Sequence, residues 1–335
     1  MKYIPQLDGI RACAILAVFL YHSPLHFKGG WAGVDLFFVL SGFLITRILV
    51  SHRQMPIKQY FGTFYLRRAR RILPPYVVLM IVASLLFGFS WVPSWYTYLG
   101  AMNFPRSGPP ALSMLWSLAV EEQFYLFWPF VVLFVPRRRL LWVAVAFILI
   151  APVLRAIATP LLTNHWAIYK QTPYRMDCLA SGALIGIIWD SHAEKIRRIG
   201  PYWLLPAVMG FITLVYLFRK GGFSTADFTV RGNVITYEVN LLIVSSIFLW
   251  ALSDRFTLLM KLPVIRWIGR ISYSIYLIHI TTYTLVRSLV RGPIVVTLAA
   301  GALSVAYAAI SFYFMELPLT EHRSHAVVER VYVSQ

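Results

Sequence analysis

Charge is what this sequence has least of. Of its 335 residues only 13% are Asp, Glu, Lys or Arg, while 59% are hydrophobic; a soluble domain is nearer about a quarter charged and about half apolar. A soluble chain of this length could bury one sizeable core or two, but not this much apolar surface beneath a polar coat. The excess must face something other than water, and lipid answers that need. Acidic residues are the scarcest of all, with 13 Asp and Glu against 31 Lys and Arg and a net charge of +18. The basic residues sit in short clusters between long apolar runs. They are not interleaved with polar and stacking residues, which argues against a nucleic-acid partner. Clusters between apolar runs are instead what the positive-inside rule produces.

Other things are missing too. There are two cysteines, Cys13 and Cys178; they fall near opposite faces of the expected topology, too far apart to pair, and read as small buried apolar residues. The histidines are scattered without metal-ligand spacing, so no metal is expected. A Gly-rich phosphate loop and a Gly-x-Ser-x-Gly nucleophile elbow are absent, as are internal repeats and low-complexity segments. The N-terminal stretch carries Lys2, Asp8 and Arg11 with no small-residue cleavage site after it, unlike a cleavable signal peptide.

What is present is a series of apolar segments. A membrane-spanning helix needs about 20 mostly apolar residues. The sequence offers about ten such segments, at roughly 9–27, 32–50, 73–91, 114–135, 138–157, 176–190, 202–218, 234–252, 271–288 and 294–315. Turn signals separate most of them, among them Gly29-Gly30, Pro109-Pro110, Pro136, Gly221-Gly222 and Gly292-Pro293. With the N-terminus inside, 20 of the 31 Lys and Arg fall on inner segments and 10 on outer ones, Arg11 lying within the first span. The fold class expected is therefore an all-α integral membrane protein of about ten transmembrane helices with both termini cytoplasmic. It forms a single membrane-embedded domain over residues 1–335.

Several spans carry groups that lipid alone would not tolerate. Asp8, Arg11, Ile15, Val18 and His22 recur at helical steps on one face of the first span. Arg11 and His22 are eleven residues apart, a rise of about 16 Å. Asp35 follows a turn at Gly29-Gly30 and is expected at a depth similar to His22, where a carboxylate would orient the imidazole as a general base needs. The plainer alternative is that Asp35 caps the second helix. Four arginines, Arg67, Arg68, Arg70 and Arg71, precede Pro74 and Pro75, which are expected to help set the start of the third span. Arginine forks bind phosphate; a topogenic cluster holding anionic lipid is the alternative. Glu121 and Glu122 lie inside an apolar span, with Ser117, Glu121 and Tyr125 at four-residue steps. Arg11, the arginine cluster or Arg175 could partner them. Arg175 and Asp177 open the sixth span. Tyr276, His279 and Tyr283 form a stripe on the ninth, where His279 taken alone is more often a packed residue than a catalyst.

Five of these segments, in this order, resemble the acyltransferase-3 family of bacterial membrane O-acyltransferases. They are Leu7-Asp-Gly-Ile-Arg-Ala12 with His22, Gly33-Val-Asp-Leu-Phe-Phe-Val-Leu-Ser-Gly-Phe-Leu-Ile45, the Arg-x-x-Arg cluster at Arg67–Arg71, Trp116-Ser-Leu-Ala-Val-Glu-Glu-Gln-Phe-Tyr125 and Tyr273-Ser-Ile-Tyr-Leu-Ile-His279. The resemblance covers nearly the whole chain. It implies ten helices in the bacterial cell (inner, or plasma) membrane and transfer of an acyl group, usually acetyl from cytosolic acetyl-CoA. The acceptor it implies is a hydroxyl on a sugar or polysaccharide at or beyond the outer face. The family's motif histidine falls on His22, its first-span arginine on Arg11, and its basic motif on Arg67, Arg68, Arg70 and Arg71. Some members carry a fused extracytoplasmic esterase-like domain, which this sequence is expected to lack.

Together these readings give a path. The arginine cluster holds the nucleotide phosphates of CoA, the pantetheine arm runs past Arg11, and the thioester meets His22, oriented by Asp35. Arg175, Tyr276 and His279 are candidates for stabilising the oxyanion or binding the acceptor, as are Ser117, Glu121, Glu122 and Asp177. Direct transfer and a covalent acyl-imidazole on His22 both fit the sequence. A transporter of glycans or lipid-linked sugars is the alternative from another class, disfavoured by the lack of paired, interrupted halves. Neither the acceptor nor an oligomeric state is named by the sequence.

Overall fold

Lipid-facing helices should turn their largest apolar side chains outward, and this is what the structure, a computed structural model, displays. It describes residues 3–89, 109–163, 165–224, 227–253 and 255–321. Leu149, Val153 and Ile157 on one helix, Leu205, Met209 and Ile212 on another, and Ile294 and Leu298 on a third are all exposed. In water such continuous apolar faces would be covered.

The helices are α1 (Gln6–His22), α2 (Ala32–His52), α3 (Ile57–Phe87), α4 (Leu115–Phe134), α5 (Arg137–Ala158), the short α6 (His165–Lys170), α7 (Met176–Ile199), α8 (Leu204–Lys220), α9 (Tyr237–Ala251), the short α10 (Pro263–Arg270), α11 (Ser272–Leu289), α12 (Pro293–Ser311) and α13 (Leu317–Glu321). No strand occurs among the described residues. Each of the ten expected segments coincides with a helix. Seven helical stretches are long and apolar enough to cross a membrane, with α7 and α8 counted together. The 17-residue α1 and the hydroxyl-rich α11 are not among them. The chain is a multi-pass membrane protein.

The centre of the bundle is α2, which touches α1, α4, α7 and α9. Its tightest seam is with α7. A β-carbon added at Gly42 of α2 would lie 1.9 Å from the Leu179 carbonyl oxygen, and one added at Gly182 of α7 would lie 1.9 Å from that of Val39. Each helix thus uses a missing side chain to seat its backbone on the other, as small residues do where lipid supplies no hydrophobic drive for helix association. Ion pairing between Arg47 of α2 and Asp190 of α7, at 3.4 Å, tethers the same pair of helices.

Two expectations need correction here. Pro74 and Pro75 do not start a helix: α3 begins at Ile57, after Pro56, and both prolines lie in its interior. Proline lacks an N–H, so the Arg70 and Arg71 carbonyls lose their intrahelical donors. The helix still carries the arginine cluster inside its span instead of before it. Cys13, expected to be buried, is exposed on α1, while Cys178 is buried; both are free thiols. The short α10 was not expected. Gly269 brings it against the backbone of Asp8, where an added β-carbon would meet the carbonyl oxygen at 1.8 Å.

Candidate active site

The charged groups of α1 line two neighbouring cavities. The first is lined by Arg11 of α1, Ser41 of α2, Arg68 and Arg71 of α3, Ser117, Glu121 and Tyr125 of α4, and Tyr273 and Tyr276 of α11. The second is lined by His22 and Tyr21 of α1, by Trp31, Trp116, Tyr169 and Tyr276, and by Lys28, Lys170 and Arg287. Its volume is about 650 Å3, within the range of small-molecule sites. Val34 and Tyr276 line both.

Helical spacing explains the first cavity. Arg68 and Arg71 are three residues apart on α3 and face the same way, so they reach the cavity together. Arg67 and Arg70 do not line either cavity, and Arg67 is exposed. Of the four arginines two line this cavity, joined by Arg11, which also holds Asp8 at 3.2 Å. Glu121 is the carboxylate of this cavity. Its hydrogen-bond partners are hydroxyls: Ser41 donates to Oε1 at 2.7 Å and Tyr125 to Oε2 at 3.0 Å. The Arg68 guanidinium lies 5.4 Å from the Tyr125 ring centre. Three arginines against one carboxylate leave the lining of the cavity an excess of positive charge. Glu122 lines neither cavity.

At the junction, the Tyr276 hydroxyl donates to the Met114 carbonyl at 3.0 Å and lies 2.5 Å from Ser117 Oγ. From there the stripe on α11 leads to His279, which is fully buried. Its Nδ1 lies 2.6 Å from the Tyr276 carbonyl oxygen and its Nε2 lies 3.2 Å from Nδ1 of His22. A carbonyl only accepts, so His279 carries its proton on Nδ1 and presents Nε2 as an acceptor. Nδ1 of His22 has a second acceptor, the Val18 carbonyl at 3.0 Å. Both neighbours of that atom accept, so Nδ1 of His22 is the protonated one. Its Nε2 is left with a free lone pair, on a ring that lines the second cavity.

Asp35 does not take the orienting place expected of it. Its carboxylate forms an ion pair with Arg175 and accepts from Asn240 at 2.5 Å, and it makes no capping hydrogen bond at the start of α2. Arg175 and Asp177 line neither cavity; both are buried, in two separate ion-paired groups. Arg155 of α5 bonds Asp177 at 2.7 Å and also pairs with Glu238. The Arg175 guanidinium sits among aromatic rings, 4.8 Å from the centre of Tyr237 and 5.3 Å from that of Tyr169. Trp116 and Tyr169, packed on Arg175, form part of the wall of the second cavity. These charges therefore shape the site from behind. Arg155 and Glu238 were not singled out by sequence, although isolated charges within expected spans are themselves a signal. Nor was Ser41, a single hydroxyl in an apolar run.

The chain belongs to a family of membrane acyltransferases: residues 4–315 match the acyltransferase-3 family's acyltransferase domain. Among curated proteins it is similar to the peptidoglycan O-acetyltransferase OatA of Listeria monocytogenes, 30% identical over 96% of this chain and 56% of that protein. It is similar as well to the O-acetyltransferase OatA of Staphylococcus aureus, 28% identical over 95% of this chain and 57% of that protein. A putative O-acetyltransferase of another Staphylococcus aureus strain matches over the same shares at 28% identity. The chain thus spans little more than half the length of these relatives. No solved structure matches it.

Proposed function

We propose that this protein is an O-acyltransferase of the bacterial cell membrane. It moves an acyl group, acetyl from cytosolic acetyl-CoA, onto a hydroxyl of a sugar or polysaccharide at the extracytoplasmic face, with both termini cytoplasmic. The observation that carries this reading is that Tyr276 lines both an arginine-lined cavity and a neighbouring one lined by a histidine whose Nε2 lone pair is free.

Arg68, Arg71 and Arg11 fit a phosphate-bearing donor, since they outnumber the one carboxylate that lines the cavity with them. Arg67 and Arg70 add charge along the same helix. Bound acetyl-CoA supplies an activated thioester carbonyl. Nε2 of His22 takes the acceptor hydroxyl's proton as the oxygen attacks that carbonyl. As the carbonyl oxygen of the thioester becomes negative, the Tyr276 hydroxyl at the junction turns its one proton to it from the Met114 carbonyl, while Ser117 keeps its bond to Met114. His22 then returns the proton to the departing sulfur. In this scheme His279, not Asp35, fixes the tautomer of His22, and Asp35 acts through Arg175 on the cavity wall.

Release of CoA by the purified protein tests the scheme. His22→Ala should abolish turnover with CoA binding retained, whereas Arg68→Ala and Arg71→Ala should chiefly weaken CoA binding. No CoA release from acetyl-CoA and a sugar acceptor, with His22→Ala behaving like wild type, would sink the enzyme reading in favour of transport. Labelled acyl-enzyme accumulating without acceptor would select the acyl-imidazole route over direct transfer.

A further inference from the structure

Proton transfer to His22 explains one residue of the second cavity but not its charge. Lys28 in the α1–α2 turn, Lys170 at the end of α6 and Arg287 near the end of α11 come from three separate elements and line the same cavity. No carboxylate lines it among the described residues. Arg11, Arg47, Arg155 and Arg175 each meet an acidic partner; the ion pairs among the described residues include none of these three cations. Two are held by rings instead: Lys170 Nζ lies 4.9 Å from the Trp166 ring centre and the Arg287 guanidinium 5.9 Å from that of Tyr283. An aromatic face positions a cation without neutralising it. In the proposed orientation these charges also stand on the outer side, where topology does not call for them. Cations of one sign around a cleft with low-dielectric walls focus their field into it.

We infer that the acceptor is an anionic carbohydrate, one whose reacting hydroxyl belongs to a unit bearing a carboxylate or a phosphate. Trp31, Trp116 and Tyr169 offer flat apolar faces for a sugar ring, and Lys28, Lys170 and Arg287 hold its anion at the rim. This rests on the acyl-transfer reading and narrows it from any sugar to a charged one.

The test uses the full chain in nanodiscs of zwitterionic lipid, with acetyl-CoA and three soluble acceptors: a neutral pyranoside, the matching uronic-acid pyranoside and the matching pyranoside phosphate. CoA release should show kcat/KM at least about tenfold higher for one charged acceptor than for the neutral one, the advantage shrinking as ionic strength rises. Which charged acceptor leads identifies the anion. Lys28→Gln, Lys170→Gln and Arg287→Gln should each raise KM for it more than they lower kcat, and the triple variant should bring charged and neutral acceptors close to parity. Equal kcat/KM for all three acceptors, or a preference that survives in the triple variant, would overturn the inference. Failure of the acyl-transfer reading has another signature, no CoA release with any acceptor. Equilibrium binding of radiolabelled acceptors without acetyl-CoA then still reads the charge preference, and its absence there would equally refute it.

Discussion

Two imidazoles 3.2 Å apart, one on α1 and one on α11, set the chemistry of single residues. If His279 holds the proton of His22 in place, His279→Ala should lower kcat by about tenfold to a hundredfold, a share of the 10²–10⁴ that general-base catalysis commonly contributes. KM for acetyl-CoA should hardly move. His279→Gln, whose amide oxygen can accept the same hydrogen bond, should restore part of the rate. Rates of CoA release across the three proteins measure this, and equal rates for the Ala and Gln variants would reject the tautomer argument. A second residue-scale expectation concerns Arg175. Arg175→Met leaves Asp35 buried and unpaired, at a cost of about 3–5 kcal/mol. Adding Asp35→Leu should recover much of that loss, read as the melting temperature of the detergent-solubilised protein. That His22 and Arg11 line cavities was legible in the sequence, because ionisable groups inside an apolar helix stand out. The partner of His22 was not. His279 lies 257 residues away and Arg175 lies 140 from Asp35, and only tertiary packing decides which charges meet.

Elements depend on features of a different size. The α2–α7 seam relies on Gly42 and Gly182, each with a facing carbonyl where a side chain would stand. Gly42→Leu or Gly182→Leu should force the helices apart and destabilise the bundle by about 1–3 kcal/mol or more. Thermal unfolding followed by size-exclusion chromatography would show it, while Gly62→Leu, where nothing lies within 4 Å of the added carbon, should be tolerated. Helix existence was legible from apolar length alone, but helix ends were less so. Pro74-Pro75 resembles a helix start because proline favours first turns, yet α3 runs straight through it. The eight residues of α10 are too few for a span, so a search by apolar length passes over them.

At the scale of the whole molecule, the membrane assignment followed from composition, and the outward-facing apolar helices accord with it. Composition cannot draw a cavity, however, and the division of α1 between two chambers appears only once α3, α4 and α11 are packed around it. That division bears on a duty that an enzyme in water never has. If, as the proposed function requires, the two chambers open toward opposite sides of the bilayer, the protein must not conduct. The phenol of Tyr276, clasped by Ser117 and the Met114 carbonyl, lines both chambers with Val34, and in the proposed orientation it would serve as electrical insulation between two compartments held at different potentials. In liposomes loaded with a pH-sensitive dye, Tyr276→Ala should collapse an imposed proton gradient faster than the wild-type protein does, whatever becomes of its turnover. The cell would then lose part of its proton-motive force through a single missing ring.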